Sequence, residues 1–365
     1  MDVRLSETQE MLRASARDFL AESCPTKEVR AARTSPEGFS RELWSSIAGL
    51  GWAGLALPER CGGSGMEFVD LCLLIEEMGY ACMPSPFVDT VAGCALTLAS
   101  AGRDEADRLA TLIGEGDSIV VPACQPAGDG NEAILRHDGS DYALNGTELF
   151  VPFADSANHL LVTARAKGDT AREYMVVVPA DARGIHFTPM TSMGDQRPHA
   201  VRFESVTVHG NAILFDGQAA TEARRRMLGR MDVARCCDVV GALQWVLDDT
   251  VAYAKERKQF GKPIGEFQSL QHYCADIRIM LDGLRTASYH AAWQLGQDCD
   301  ADPSIAVACA YAHRVVPQVM AMAHQIHGAM GVTREHDLHL YTTHAFAPAR
   351  GLAPVETYRD VVLHS

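Results

Sequence analysis

The stretch Arg257–Gln271, RKQFGKPIGEFQSLQ, sets an arginine and a lysine beside two aromatics, Phe260 and Phe267, with Gly261, Pro263 and Gly265 between them. Glycine and proline impose a fixed, non-helical path. A guanidinium fork suits bidentate contact with phosphate, and an aromatic ring packs against a planar ring. Taken singly, each residue also fits a charged interhelical loop with two buried aromatics. Taken together they suit a ligand that carries both phosphate and a planar heterocycle.

Such a loop needs a scaffold, and the composition allows a large one. The chain has 365 residues, 47% of them hydrophobic, a length that suits two or three domains. A net charge of −15 argues against a nucleic-acid footprint. The eleven cysteines are scattered, with no C-x-x-C and no zinc spacing. Several fall on apolar helical stripes and read as reduced core thiols of a cytoplasmic protein. The start, MDVRLSETQE, has no apolar signal region, and no window reads as long and apolar enough to span a membrane.

The elements come in three blocks. Residues 1–118 read as helical: Ser6 and Gln9 form a capping-box pattern, GFSRELWSSIAGLG is a helix, and Phe68, Leu71, Ile75 and Met78 stripe another that Gly79 is placed to end. Residues 119–218 change to short β-type runs, from SIVVPA to HAVRFESVTV, with Asp138-Gly139 and Asn145-Gly146 as turn signals. Val201, Phe203, Val206 and Val208 keep one side except for a slip at 204–205, which predicts a bulge. Residues 219–365 return to helical spacing, with helices over roughly 269–297 and 304–328 and a kink expected at Pro317. The expected fold is α+β: an N-terminal helical domain, a middle antiparallel β domain and a C-terminal four-helix bundle.

This order, with ERKQFGKPIGEFQSLQH and HQIHGAMGVTREH, resembles the acyl-CoA dehydrogenase family over nearly the whole chain. GVTREHDLHLY and FVPFADSANHLLV look like the heteromeric members that degrade steroid side chains in bacteria. The resemblance implies FAD as cofactor, an acyl-CoA thioester as substrate, and an electron-transfer flavoprotein or similar acceptor. It also implies a hetero- or homo-oligomer, a dimer or tetramer, with no role for nucleic acid or membrane. In the reaction a carboxylate removes the α-proton and the β-hydrogen leaves as hydride to the flavin. The thioester oxygen must be hydrogen-bonded as charge develops, and the base needs a dry site that raises its pKa.

Carried over residue by residue, one set of contacts is intact. Arg257, Gln259, Phe260, Phe267, Gln268, Gln325, His327, Gly328 and Gly331 match the positions that reach the adenosine–pyrophosphate half of FAD on a neighbouring subunit, with Ala329 where a second glycine is usual. The other set is eroded. T-E-P-x-x-G-S-D becomes Cys124–Asn131 (CQPAGDGN), and W-[IV]-[TS] becomes Phe150-Val151-Pro152, which loses the hydroxyl that faces the flavin. The usual glutamate is absent at Arg350-Gly351-Leu352. The alternative position on the long helix falls at Met231, with Asp232 beside it as candidate base and Asp238 two turns on. Asp232 fits a solvated residue near a helix start better than it fits a base. The histidines of HQIHG and REHDLHLYTTH show no tetrahedral set with carboxylate support, so no metal is expected.

Three functions fit these residues: an ordinary acyl-CoA dehydrogenase with a relocated base, a subunit of a heteromeric enzyme that lacks its own glutamate, and a divergent member with non-redox chemistry on a thioester. The second is favoured because the losses are patterned. Contacts to a neighbour's cofactor are kept while those to the chain's own are lost.

Overall fold

The structure is a computed structural model that describes residues 5–124, 132–194, 196–297, 301–351 and 354–364. Helices α1 (Glu7–Ser23), α2 (Thr26–Thr34), α3 (Arg41–Gly49), α4 (Phe68–Tyr80), α5 (Val88–Ala99) and α6 (Asp104–Gly114) come first. The capping box on α1 forms as its sequence predicts, Ser6 Oγ accepting from Gln9 N–H at 3.2 Å and Gln9 Oε1 accepting from Ser6 N–H at 3.0 Å. The α2 helix has no signal in the apolar pattern; Pro25 caps it with preset dihedrals. The first part of α5 is π-helical.

Strands β1 (Val120–Ala123), β2 (Ile134–Asp138), β3 (Asp141–Val151), β4 (His159–Ala166), β5 (Asp169–Pro179), β6 (Ile185–Pro189), β7 (His199–Val208) and β8 (Ile213–Asp216) follow. The sheet order is β6-β7-β3-β2-β4-β5-β8, with β1 also on β4. The sheet is mixed rather than wholly antiparallel, because β1 and β2 both run parallel to β4 along one edge. The bulge expected at 204–205 is present: Leu144 pairs with Val206 and Gly146 with Phe203, so Asn145 opposes two residues. Asn145-Gly146 is therefore no turn. It lies inside β3, where Asn145 Oδ1 takes the N–H of Ser205 at 2.9 Å.

The remaining elements are α7 (Gln218–Glu256), the short strands β9 (Lys258–Gln259) and β10 (Lys262–Pro263), α8 (Gln268–Leu295), α9 (Asp302–His327), α10 (Leu338–Gly351) and α11 (Val355–His364). Pro317 sits inside α9, which continues past it. One expectation is corrected here: Asp302–Val332 is long and apolar enough to cross a membrane by length and composition. In the fold it is an inner helix of the bundle, with Ile305, Ala308, Ala312, Val316, Val319 and Ala323 buried.

Two glycines set how α4 meets α7. A Cβ on Gly241 would stand 1.8 Å from the Glu76 carbonyl oxygen, and one on Gly79 1.9 Å from that of Asp238. Gly79 is thus a packing residue, not a terminator, and α4 runs on to Tyr80. The backbones touch there, and nothing flexible lies in the way to yield. Gly241→Ala is expected to destabilise the chain by roughly 3 kcal/mol or more, at the upper end for overpacking. A lower urea midpoint with an unchanged slope would register it.

Candidate functional site

The end of α7 builds an exposed ribbon. After Glu256 the chain pairs Lys258 with Pro263 and Gln259 with Lys262, so Phe260 and Gly261 form the two-residue turn. Both have positive φ, +52° and +84°, the geometry of a turn that favours Asn-Gly. Phenylalanine in that conformation is strained, and the Phe260 ring is 92% exposed. Neither the strain nor the exposure serves folding. The ribbon's base is anchored: Ile264 N–H donates to Arg257 C=O at 2.8 Å, and Ile264 packs with Ala254 and Ile326. Phe267 meets Phe260 edge to face at 6.1 Å, with Lys262 Nζ 4.7 Å over its ring.

The end of α9 forms the facing wall. Gln325 points outward while Ile326 and His327 are buried. Gly328 turns the chain with φ +57° and ψ −139°. Between the walls lies a cleft of about 480 Å³, within the range of small-molecule sites. Arg257, Gln259, Phe260, Phe267, Gln325, His327 and Gly328 line it, together with Tyr253, which sequence reasoning missed. Gln268 lies exposed at the start of α8, outside the lining. Gly331 is buried behind it, where a Cβ would come 2.9 Å from that of His327. The Arg257 side chain has no ion pair among the described residues.

His327 is held from three sides. Its ring stacks on Tyr253 at 4.5 Å, Nδ1 lies 2.9 Å from the Ala323 carbonyl, and Nε2 lies 3.2 Å from Asp249. His336 also approaches Asp249, at 3.7 Å. The ligand atoms of Asp249, His327 and His336 fall within 4.8 Å of one another, a grouping that the histidine-rich string did not reveal because Asp249 comes from α7.

A second, inner pocket of about 50 Å³ lies where α4, α7 and α10 meet the sheet. Its apolar wall includes Met78, Phe87 and Phe153, and its polar wall Asp89, Arg235, Asp238 and His344. Phe153 has φ +48° and donates its N–H to Gln196 C=O at 3.0 Å. His344 Nε2 is 3.0 Å from Asp238, and Arg235 Nη2 is 3.0 Å from Asp89. Pro152 precedes Phe153, whereas Gln125–Asn131 and Leu352 lie outside the described residues. Asp232 does not line this pocket. Its carboxylate accepts from the Tyr358 hydroxyl of α11 at 2.9 Å and sits 3.5 Å from Arg235 Nη1. It is half-buried rather than fully solvated, and desolvation raises its pKa, as it does that of the buried Asp89.

Two domain models match the chain: "Acyl-CoA dehydrogenase, N-terminal domain" over residues 6–109 and "Acyl-CoA dehydrogenase, C-terminal domain" over 222–349. The chain belongs to the acyl-CoA dehydrogenase family. It is thereby a member of a group of FAD-dependent oxidoreductases. Acyl-CoA dehydrogenase IpdE2 of Mycolicibacterium smegmatis is 29% identical over 96% of each chain. A variant of the Tcur3481–Tcur3483 steroid ACAD superposes with a TM-score of 0.87 at 27% identity, over 98% of this chain and 96% of that one. The ChsE4–ChsE5 complex from Mycobacterium tuberculosis gives a TM-score of 0.92 at 24% identity, over 100% and 98%, which speaks to the fold. Among acyl-CoA dehydrogenases the chain therefore resembles the steroid type.

Arg235 joins the two halves of the buried charge cluster, so its loss exposes the cost of that cluster. Arg235→Met leaves Asp89 and Asp232 without their cation and is expected to cost about 3–5 kcal/mol near neutral pH. Because burial raises both carboxyls, the folded state takes up protons at a pH where the unfolded chain has already released them. Stability of the variant therefore rises as pH falls, and its deficit against the wild type should narrow between about pH 7 and about pH 5. Urea midpoints at the two pH values check this.

Proposed function

We propose that this chain is one subunit of a heteromeric acyl-CoA dehydrogenase, where it binds the adenosine–diphosphate arm of a flavin whose ring a neighbouring subunit holds. The observation that carries the reading is Phe260: a strained, 92% exposed aromatic beside an exposed arginine, on the rim of a cleft of ligand size. Such a rim fits the arm. The Arg257 guanidinium would donate to the diphosphate, Phe260 and Phe267 would pack on the adenine, and Gly328 would let backbone approach closely. Bound FAD supplies the hydride acceptor for α,β-desaturation of an acyl-CoA thioester.

The inner pocket supports the same reading by what fills it. Phe153 closes one side, Pro152 offers no hydroxyl or N–H, and both acidic side chains in the wall already hold a cation or an imidazole. A base needs a carboxylate aimed at substrate in a dry site, and this pocket has room for little more than water. The partner subunit would supply the base. The similarity to a steroid ACAD supports a steroid side-chain thioester as substrate. Electrons would pass to an electron-transfer flavoprotein or similar acceptor, and the assembly would act in the cytoplasm.

A second reading, a homomeric enzyme with its base on α7, has one observation in its favour: the Asp238 carboxylate reaches the inner pocket. Asp232, the position closest to the family's alternative, instead has Arg235 and Tyr358 on its oxygens.

Purifying the chain alone and together with an acyl-CoA dehydrogenase paralogue from the same source separates the two. The heteromeric reading expects a colourless chain alone and visible flavin absorbance after co-expression. Stoichiometric FAD with turnover on the chain alone would sink it. In the flavin-bearing preparation, Arg257→Ala should weaken FAD binding about tenfold or more, the worth of a charge-assisted hydrogen bond. The melting temperature of the flavin-free chain alone should stay at the wild-type value, since Arg257 is exposed.

A further inference from the structure

Three ligand-bearing side chains from three segments converge behind the outer cleft: Asp249 of α7, His327 at the end of α9 and His336 in the segment before α10. Their ligand atoms all lie within 4.8 Å of one another. His327 Nδ1 is 2.9 Å from the Ala323 carbonyl oxygen, which can only accept, so Nδ1 carries a hydrogen. In the neutral ring Nε2 is then a lone pair, and it faces a carboxylate oxygen of Asp249 at 3.2 Å. Two electron-rich atoms set that close call for a cation, which is either a proton or a metal ion. His336 Nε2 stands 3.7 Å from the same oxygen, too far for a hydrogen bond. Both separations fit a coordination sphere instead, since ligand atoms about 2.0–2.1 Å from a tetrahedral ion lie about 3.4 Å apart.

We propose that Asp249, His327 and His336 form a binding site for a first-row divalent transition ion, of which Zn²⁺ suits the ligands best. Two imidazoles and one carboxylate, with a fourth position open, are a set that Zn²⁺ takes. The Ala323 carbonyl is the outer support such a site needs, because it fixes the tautomer and orientation of His327. The two imidazole rings are 4.7 Å apart and inclined at 70°, so both Nε2 atoms can converge on one point. His327 is buried, whereas Asp249 and His336 are half-buried, which leaves an entry path and room for a water as fourth ligand.

Binding requires one rearrangement. His336 Nδ1 accepts the backbone N–H of Leu338 at 3.1 Å. An ion on Nε2 moves the ring proton to Nδ1, and the Leu338 N–H loses its acceptor. That amide therefore reports occupancy. The ion would tie α7 to both ends of the stretch from His327 to His336, which carries Gly328 of the outer cleft. The site does not depend on what the cleft binds. His324, one turn before His327, stands outside the set, with its Nε2 2.8 Å from the Thr342 hydroxyl, and serves as the control histidine.

The test uses the full chain, untagged and free of flavin, stripped of metal with a chelator that is then removed. Calorimetric titration with Zn²⁺ should show one equivalent bound per chain, and Co²⁺ in its place should give the visible absorption of a tetrahedral or five-coordinate ion. Asp249→Ala and His336→Ala should each weaken Zn²⁺ binding by about 100-fold or more, beyond the loss of an outer support. His324→Ala should keep the wild-type affinity. The half-buried His336 keeps the test decisive if Asp249→Ala does not fold. In ¹⁵N spectra of the wild type, the Leu338 amide resonance should shift as Zn²⁺ is added. No bound equivalent, binding that survives both Asp249→Ala and His336→Ala, or an unmoved Leu338 amide would each overturn the assignment. With no flavin present, failure here leaves the reading of the outer cleft standing, and failure of that reading leaves the ion site standing.

Discussion

The close approach of α4 and α7 at Gly79 and Gly241 fixes the rotation of the 39-residue α7 helix, and most of the site geometry follows from that rotation. With backbone oxygen where a Cβ would be, α7 cannot turn about its axis or slide by a residue. Successive residues advance about 100°, so positions separated by seven or eleven share a face and positions separated by six do not. Asp238, Trp245 and Asp249 accordingly form one stripe. Each meets the end of α9 or the segment that follows it: Asp238 takes His344, Trp245 stacks on Tyr341 at 3.6 Å, and Asp249 lies 3.2 Å from His327 and 3.7 Å from His336. Asp232 falls off that stripe and meets Tyr358 of α11. Two carboxylates six residues apart on one helix thus enter different environments, because one constraint elsewhere decides which way each points.

The stripe also links the two candidate pockets. Asp238 closes the inner pocket at one end of it, and Asp249 meets His327 of the outer cleft at the other, about 16 Å along the helix by its rise per residue. Buried acids nearby are paired in the same manner: Glu76 accepts from Tyr289 at 2.6 Å and lies 3.1 Å from Arg285. These buried acids are matched, as their desolvation requires, whereas Arg230 of α7 meets only the Thr97 hydroxyl. Arg257 sits outside this matched interior, beyond the last turn of α7.

Much of the fold could be read in advance, because period and punctuation are local. The capping box at Ser6, the bulge at 204–205 and the long helices all rest on spacing within one element. What escaped depends on contacts between distant elements. Asn145-Gly146 carries a turn signal, but its side chain and its glycine are used inside a strand opposite Ser205. Gly79 reads as a helix end until α7 is laid against it. At the outer cleft, seven of the residues expected from the family motifs share one lining, since two sequence-local strings, each rigid by itself, are brought face to face. Asp249 carried no signal. An aspartate midway along a helix is indistinguishable from a surface residue until the histidines of a segment some eighty residues later arrive at it. The surroundings of Asp232 escaped for the same reason: its neighbour Arg235 and the Tyr358 hydroxyl are properties of the packed bundle.

The two pockets stand in opposite states, and that contrast carries more weight than either alone. In the inner one, Phe153 is folded inward at a left-handed φ, and both carboxylates in its wall have a cationic or imidazole partner. In the outer one, Phe260 adopts the same left-handed conformation but is turned outward, with its ring in solvent. A chain that stabilised only itself would gain by the reverse arrangement, since an exposed ring forfeits burial worth about 1.5–3 kcal/mol and a strained φ adds to the loss. The inward strain serves packing and the outward strain does not. The energy left on the surface at Phe260 is recoverable only by something that binds there, and the facing wall at Gln325–Gly328 completes the cleft that would receive it.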